Sequence, residues 1–488
     1  MAVSVSAVAR VLGIGVEFVN LRGSTALLLP QRVAVIAQGN NGLSYPTTKF
    51  QALTSLAVAN VLGFGSPAHL AARELLPDNG DGLGSIPLTI YPLAEAGGAT
   101  AAVGDITPTI AATVNSSYRV RVGGVLSNAF TIAAGDSVAT VVTAMTAAIN
   151  AVLEMPFSAT DNTTDVILTS KWRGDSANGV TVEIIGDLTI GNSFAITQPV
   201  GGATNPDVQD ALDQIGEVWE TLVLNCLDID DTTALDTYET FGAGRWGDLT
   251  HKPLLVFTGN NEPDEATAVT ITDARKDDFV NVQLVGVGSV NLPFVVAARQ
   301  LARIAVLANE NPPHDYGSQP ADGLIPGTDG EQWQYTERDA AVKAGSSTIE
   351  VVDGVINISD VVTMYHPTGD PLPAYRYVVD IVKIMNVIYN VNVEFASAQW
   401  DGAPLLGDTD FSSNPTAKRP RDAKAALAAI IDGLGAAAVL VDVAGAKASI
   451  LAGIDSTNPK RLNMDFTAKL SGNTNIKSID FNFGFNFG

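Results

Sequence analysis

The sequence predicts a multidomain α/β (α+β) protein: an open α/β sheet core, an inserted β-rich domain, a C-terminal α+β domain, and extended N- and C-terminal arms. Three observations predict it. The chain has 488 residues, too many for one ordinary core and enough for roughly three domains. Hydrophobic residues make up 46% and charged residues 16%, a balance that folds. Finally, short apolar runs alternate with amphipathic helical patterns on both sides of a segment that is mainly strand-like.

The first alternating stretch follows an apolar, glycine-broken arm at 1–22, in which Val3, Val5 and Ala7 alternate with small residues. RVAVIAQG, from Arg32, reads as a strand. KFQALTSLAVANVLG reads as a helix stopped by Gly63, and SPAHLAARELL as a helix with Ser66 as N-cap and Pro67 in its first turn. IPLTIYPL reads as a second strand. The alternation resumes at Asn205, with helices expected over 205–222, 261–278 and 292–310 and strands at KPLLVFTG and VNVQLVGVG. These segments, 23–96 plus 203–360, form the predicted core. Between them, 97–202 carries β-rich runs such as YRVRVGG and TDVILTS around one helix, bounded by small-residue linkers. An insert whose two ends return to the parent sheet belongs on the surface.

Later, Asp353-Gly354 between two apolar alternations signals a hairpin. The C-terminal domain is expected over 361–474, with a helix starting near Pro373 and another in RPRDAKAALAAIIDGLG. The last segment, 475–488, places Ile479, Phe481, Phe483, Phe485 and Phe487 at strict period two. As a strand it has one apolar face. Covering five such side chains is worth at most on the order of 7–15 kcal/mol, and the entropy of ordering about ten residues is of similar size. The strand therefore needs ladder bonds and a receiving sheet, either in its own domain or in a neighbouring copy.

Charge narrows the partners. The net charge is −24, which argues against nucleic acid as the main ligand. Residues 415–488 carry 9 Lys+Arg and 6 Asp+Glu, a net of +3. The rest, with 19 and 46, carries −27. The single Cys226 lies in an apolar setting and reads as a buried thiol. The first 20 residues lack a signal-peptide pattern, and no stretch of about 18 apolar residues suggests membrane insertion. No Gly-Lys pair, His-Glu-x-x-His, Cys-x-x-Cys or Gly-x-Ser-x-Gly occurs, so no catalytic, cofactor or metal site is assigned. Gly286-Val287-Gly288 and Gly13-Ile14-Gly15 read as bends. Asp228, Asp230 and Asp231 read as a turn or helix cap, and Trp172, between Lys171 and Arg173, as a packing or cation–π contact.

The chain resembles the tail sheath proteins of contractile-tailed phages of the Mu-like type. The resemblance rests on LPQRVAVIAQGNNG (29–42), YRVRVGGVLSNAFTIAAGDSVATVV (118–142), SKWRGDSANGVTVEI (170–184), YTERDAAVKAG (335–345) and RLNMDFTAKLSGNTNIKSIDFNFGFNF (461–487). It implies a non-enzymatic subunit of stacked hexameric rings around a tail tube, contracting without nucleotide hydrolysis. The domain at 361–474 would face the tube, and the arms 1–22 and 475–488 would add strands to a small sheet in neighbouring C-terminal domains. Inter-subunit strand exchange would then use Val3, Val5, Ala7, Ile479, Phe481, Phe483, Phe485 and Phe487. The mild basicity after Pro415, rather than the resemblance, suggests that Lys418, Arg419 and Arg421 would face an acidic tube. Expected partners are further copies, the tail tube, the baseplate and the tail terminator, with assembly in the host cytoplasm. The alternatives are a hydrolase on the α/β half, or a surface-layer or adhesin protein.

Overall fold

The computed structural model describes residues 26–78, 82–188, 192–247, 249–277, 279–366 and 375–475. They form two compact units. One contains the described residues of 28–385 with 473–475; the other contains 26–27 and 386–472.

The larger unit opens with β1 (Val33–Gln38), β2 (Phe50–Ala52), α1 (Ser55–Leu62), α2 (Pro67–Leu75) and β3 (Leu88–Leu93). Every residue of β1 and β3 is buried, as apolar strands covered on both faces must be. Helix α1 starts where the Thr54 side chain accepts from the Ala57 amide, and stops at Gly63, whose φ of +93° favours glycine. Ser66 caps α2 by accepting from the His69 amide at 3.2 Å.

The inserted segment follows as β4 (Val103–Pro108), β5 (Ser116–Val122), β6 (Val125–Leu126), β7 (Phe130–Ile132), α3 (Val138–Asn150), β8 (Phe157–Asp161), β9 (Val166–Ser170), β10 (Val182–Ile185) and β11 (Phe194–Val200). Its strands make two antiparallel sheets: β11-β4-β9-β8, and β10-β5-β6 with β7 also on β5. Alternating burial along β5 and β9 marks one covered face per strand.

The chain then returns through α4 (Gln209–Asp213), β12 (Leu222–Asn225), α5 (Thr232–Trp246), β13 (Leu255–Asn260), α6 (Glu265–Ala268), α7 (Thr270–Arg275), β14 (Asn281–Val285), α8 (Pro293–Glu310), β15 (Gln319–Pro320), α9 (Tyr335–Lys343), β16 (Ser346–Val352) and β17 (Val355–Asp360). The main sheet runs β15-β17-β16-β14-β13-β12-β1-β3-β2. Its six central strands, β16 to β3, are parallel. The antiparallel strands β2, β17 and β15 form the flanks. Strand order reverses beside β1: β3 lies on one side, and β12 and its successors on the other. Helices α2 and α8 pack against the central strands. Val208, Leu212 and Ile215 around α4 join Leu254, Val256 and Tyr238 in the core.

Three expected helices change in detail: the one read over 49–63 gives up Phe50–Ala52 to β2 and begins at Ser55. The helix expected over 205–222 shrinks to α4, because Gly216 takes a positive φ of 55° and the apolar run Leu222–Asn225 becomes a central strand. The helix expected over 261–278 divides into α6 and α7 at Val269. Helix α5 was not anticipated, because its two glycines weaken the helical pattern. Gly242 is required there: a Cβ at that position would meet Val280 Cγ2 at 2.2 Å.

The smaller unit contains the later turns of α10 (Val378–Phe395), then α11 (Pro420–Ala436), β18 (Leu440–Val441), α12 (Val443–Ala448), β19 (Leu451–Ile454), β20 (Leu462–Asp465) and β21 (Lys469–Leu470). The first turns of α10 count with the larger unit, because Val378, Val379, Ile381, Val382 and Met385 are buried there. By its contacts the smaller unit takes up the chain again at Asn386.

Candidate assembly interface

Within the smaller unit, Leu427, Ile431 and Leu434 repeat at helical spacing along α11 and pack on Val439, Leu440, Ala446 and Ile450. Val387, Val391 and Phe395 of α10 and Phe466 and Leu470 close around them. The helix starts where the Asp422 carboxylate accepts from the Arg419 amide at 2.8 Å. On this small core stand two separate strand pairs, β18–β21 and β19–β20.

The β19–β20 hairpin pairs Leu451 with Asp465 and Ile454 with Leu462. Asp455 closes its loop. One carboxylate oxygen accepts from the Thr457 amide at 2.9 Å, the Thr457 hydroxyl at 2.7 Å and the Asn458 amide at 2.9 Å. The other accepts from Asn463 at 3.0 Å. These donors hold the Asp455 carboxyl far below the usual carboxylate range. The turn is thus strongly specified, yet among the described residues each strand has a single neighbour. Leu451 is 63% exposed and Met464 37%. A two-stranded ribbon is marginal by itself, and open strand edges are templates for further strands.

The residues expected to exchange strands, Val3, Val5, Ala7, Ile479, Phe481, Phe483, Phe485 and Phe487, lie outside the described residues. The basic trio lies inside them, where α11 begins. The Lys418 ammonium sits 4.7 Å from the centre of the Trp400 ring. The Arg419 guanidinium donates to the Asp410 carbonyl at 3.2 Å, and the Arg421 amide donates to the Asp408 carboxylate at 2.9 Å. Arg419 and Arg421 thus each meet the 408–410 loop through one backbone group. Phe411, at the same loop, is 97% exposed.

In the larger unit, the carboxyl ends of the parallel strands are where an open α/β sheet binds ligands. A cleft of about 720 Å³ opens there, lined by Asp228, Asp230, Glu262, Asn261, Asn291 and Glu331 among others. Residues of the insert, Gly123 and Asn178–Thr181, form part of its wall. Asp231 caps α5 through the Ala234 amide at 3.0 Å and accepts from Asn205 at 2.8 Å. Burial, followed by the neighbouring acids Asp230, Asp175 and Asp231, pushes the Asp228 carboxyl up to about 6. The Ser289 hydroxyl in this cleft donates to the Ile325 carbonyl at 2.7 Å. Among the described residues, no histidine, cysteine, lysine or arginine lines the cleft. Elsewhere, Cys226 is buried in apolar surroundings that push its thiol well up, and Trp172 is a packing residue rather than a surface one. Among the described residues no three His, Cys, Asp or Glu side chains converge to hold a metal, and no helix is long and apolar enough to cross a membrane.

No model of a known protein family matches the chain. A tail sheath protein of the Mu-like prophage FluMu of Haemophilus influenzae is 23% identical over 391 residues, 78% of each chain. The chain is thus similar in sequence to a Mu-like tail sheath protein. Solved structures similar to this chain include a sheath tail protein from Desulfitobacterium hafniense, with 13% identity over 94% of this chain and 100% of that one and a TM-score of 0.46. One from Listeria innocua shows 12% identity over 92% and 93%, with a TM-score of 0.49. The contracted sheath complex of an extracellular contractile injection system shows 10% identity over 97% and 98%, with a TM-score of 0.47.

Proposed function

We propose that this chain is the structural subunit of a contractile tail sheath. Its copies polymerise as stacked hexameric rings around a tail tube, meeting a baseplate at one end and a tail terminator at the other. Contraction releases energy stored in the extended lattice and involves no nucleotide hydrolysis. The observation that carries this reading is the β19–β20 hairpin: a strongly specified turn, two short strands, and open edges with exposed Leu451 and Met464. The apolar period-two run Ile479–Phe487 and the alternation of Val3, Val5 and Ala7 supply strands of the kind such edges accept. Donation into neighbouring copies by both arms links each subunit in two directions. The domain at 361–474 faces the tube with Lys418, Arg419 and Arg421, and the insert at 97–202 faces outward. Assembly takes place in the host cytoplasm.

Deleting 476–488 tests the reading. The truncated chain is expected to stay folded by circular dichroism and to form no striated tubes in negative stain. Normal tubes from it would overturn strand donation.

A further inference from the structure

We infer that Asp380 and Asn473 clamp the buried Lys383 and so fix where the C-terminal tail leaves the subunit, which sets the register of the strand it donates to a second copy. The inference rests on the strand-donation reading above.

Lys383 lies on α10 with its side chain 0% exposed, an uncommon place for a lysine. Its ammonium is 2.9 Å from the Asp380 carboxylate and 2.7 Å from the Asn473 side-chain carbonyl. The Asn473 amide nitrogen in turn donates to the Pro313 carbonyl at 2.8 Å. Both polar atoms of Asn473 are therefore tied down, one to a buried charge and one to the backbone. This fastening lies six residues before Ile479, the first apolar position of the period-two run. Six residues span at most about 22 Å.

A buried ion pair adds little to stability. Replacing one with apolar residues of similar volume is often neutral, so the pair calls for another explanation. The terminal run supplies one. Its faces alternate between Phe and Asn or Gly, so a slip of one residue turns the apolar face away from the receiving sheet. Ile479–Phe487 carries no turn of its own to set register. A fixed root does so by limiting which residue can reach the first position of the acceptor hairpin. Lys383 and Asn473 are thus positioning residues for assembly.

The test uses the full chain carrying Lys383→Met or Asn473→Ala, with the 476–488 deletion alongside. Either change is expected to raise the protein concentration needed for tube formation by about tenfold or more. Both changes also lower the thermal transition of the subunit, because a bond to the buried Lys383 is lost; Gly242→Ala, which lowers the transition from a site far from the tail, is expected to keep wild-type tube formation, a contrast that a purely structural role of the clamp would not produce. Asn473 is only half-buried, so its truncation decides the matter if Lys383→Met fails to fold. Wild-type tube formation by Asn473→Ala, with the deletion unable to assemble, would overturn the clamp alone. Normal tubes from the deletion would overturn strand donation and the clamp with it.

Discussion

Trp172 of the inserted segment packs edge-on against Phe294 of α8, with ring centroids 6.1 Å apart. The same indole meets Phe157 at 6.2 Å and donates to the Ser176 hydroxyl at 2.9 Å. One buried ring thus joins the insert to a helix of the main sheet. Truncating it with Trp172→Ala removes both aromatic contacts and leaves a cavity, at a cost of about 3–5 kcal/mol. Chemical denaturation should show this loss. A change below about 1 kcal/mol would mean the insert is held by other contacts.

Asp228 and His69 are expected to tilt the acid stability curve in opposite directions. The Asp228 carboxyl is raised to about 6 in the folded chain. Its ionised form is disfavoured there, so this group adds stability as pH falls from about 6 through the ordinary aspartate range. Asp228→Asn keeps an acceptor for the Asp230 amide and removes the charge. It should raise stability at pH 7–8 by about 1–3 kcal/mol.

Burial, with help from Arg73 and Lys171, lowers the His69 imidazole to about 4. Its Nδ1 accepts from the Gly65 amide at 3.0 Å. The stability this neutral ring contributes is complete above its unfolded value near 6.5 and is lost as pH falls towards 4. His69→Asn retains a comparable acceptor without the titration. Urea titrations from pH 4 to 7 should show a weaker acid loss for His69→Asn than for the parent chain. A parallel curve would count against the buried neutral histidine.

Gly242→Ala tests the fit of α5. The added methyl meets Val280 at 2.2 Å, so its intrinsic helix advantage is outweighed by overpacking. A net loss of about 1–3 kcal/mol is expected, and a stabilised variant would contradict the close approach of the helix.

Asp455→Ala removes the acceptor of four loop hydrogen bonds. Hydrogen exchange should quicken at Leu451–Ile454 and Leu462–Asp465 while α11 keeps its protection. Under the proposed function, tube formation falls in parallel. Unchanged exchange in the hairpin would show that the loop is held by other groups.

Much of this protein is legible in its residues alone. The apolar runs at Val33–Gln38 and Leu255–Asn260 read as strands of the alternating pattern. Ser66-Pro67 marks a helix start, Asp353-Gly354 a hairpin, and the 97–202 segment a different composition; all of these are local signals. What tertiary structure alone decided is long-range. Whether Leu222–Asn225 ends a helix or forms a central strand depends on β1 and β13 lying beside it. The need for Gly242 depends on Val280, 38 positions away in the chain. Trp172 becomes core because Phe294 arrives from another layer, and Lys383 finds Asn473 only because the chain returns after 90 residues. Spacing and composition encode what neighbours in sequence do to one another, while the energy of these distant pairs exists only once the chain has folded.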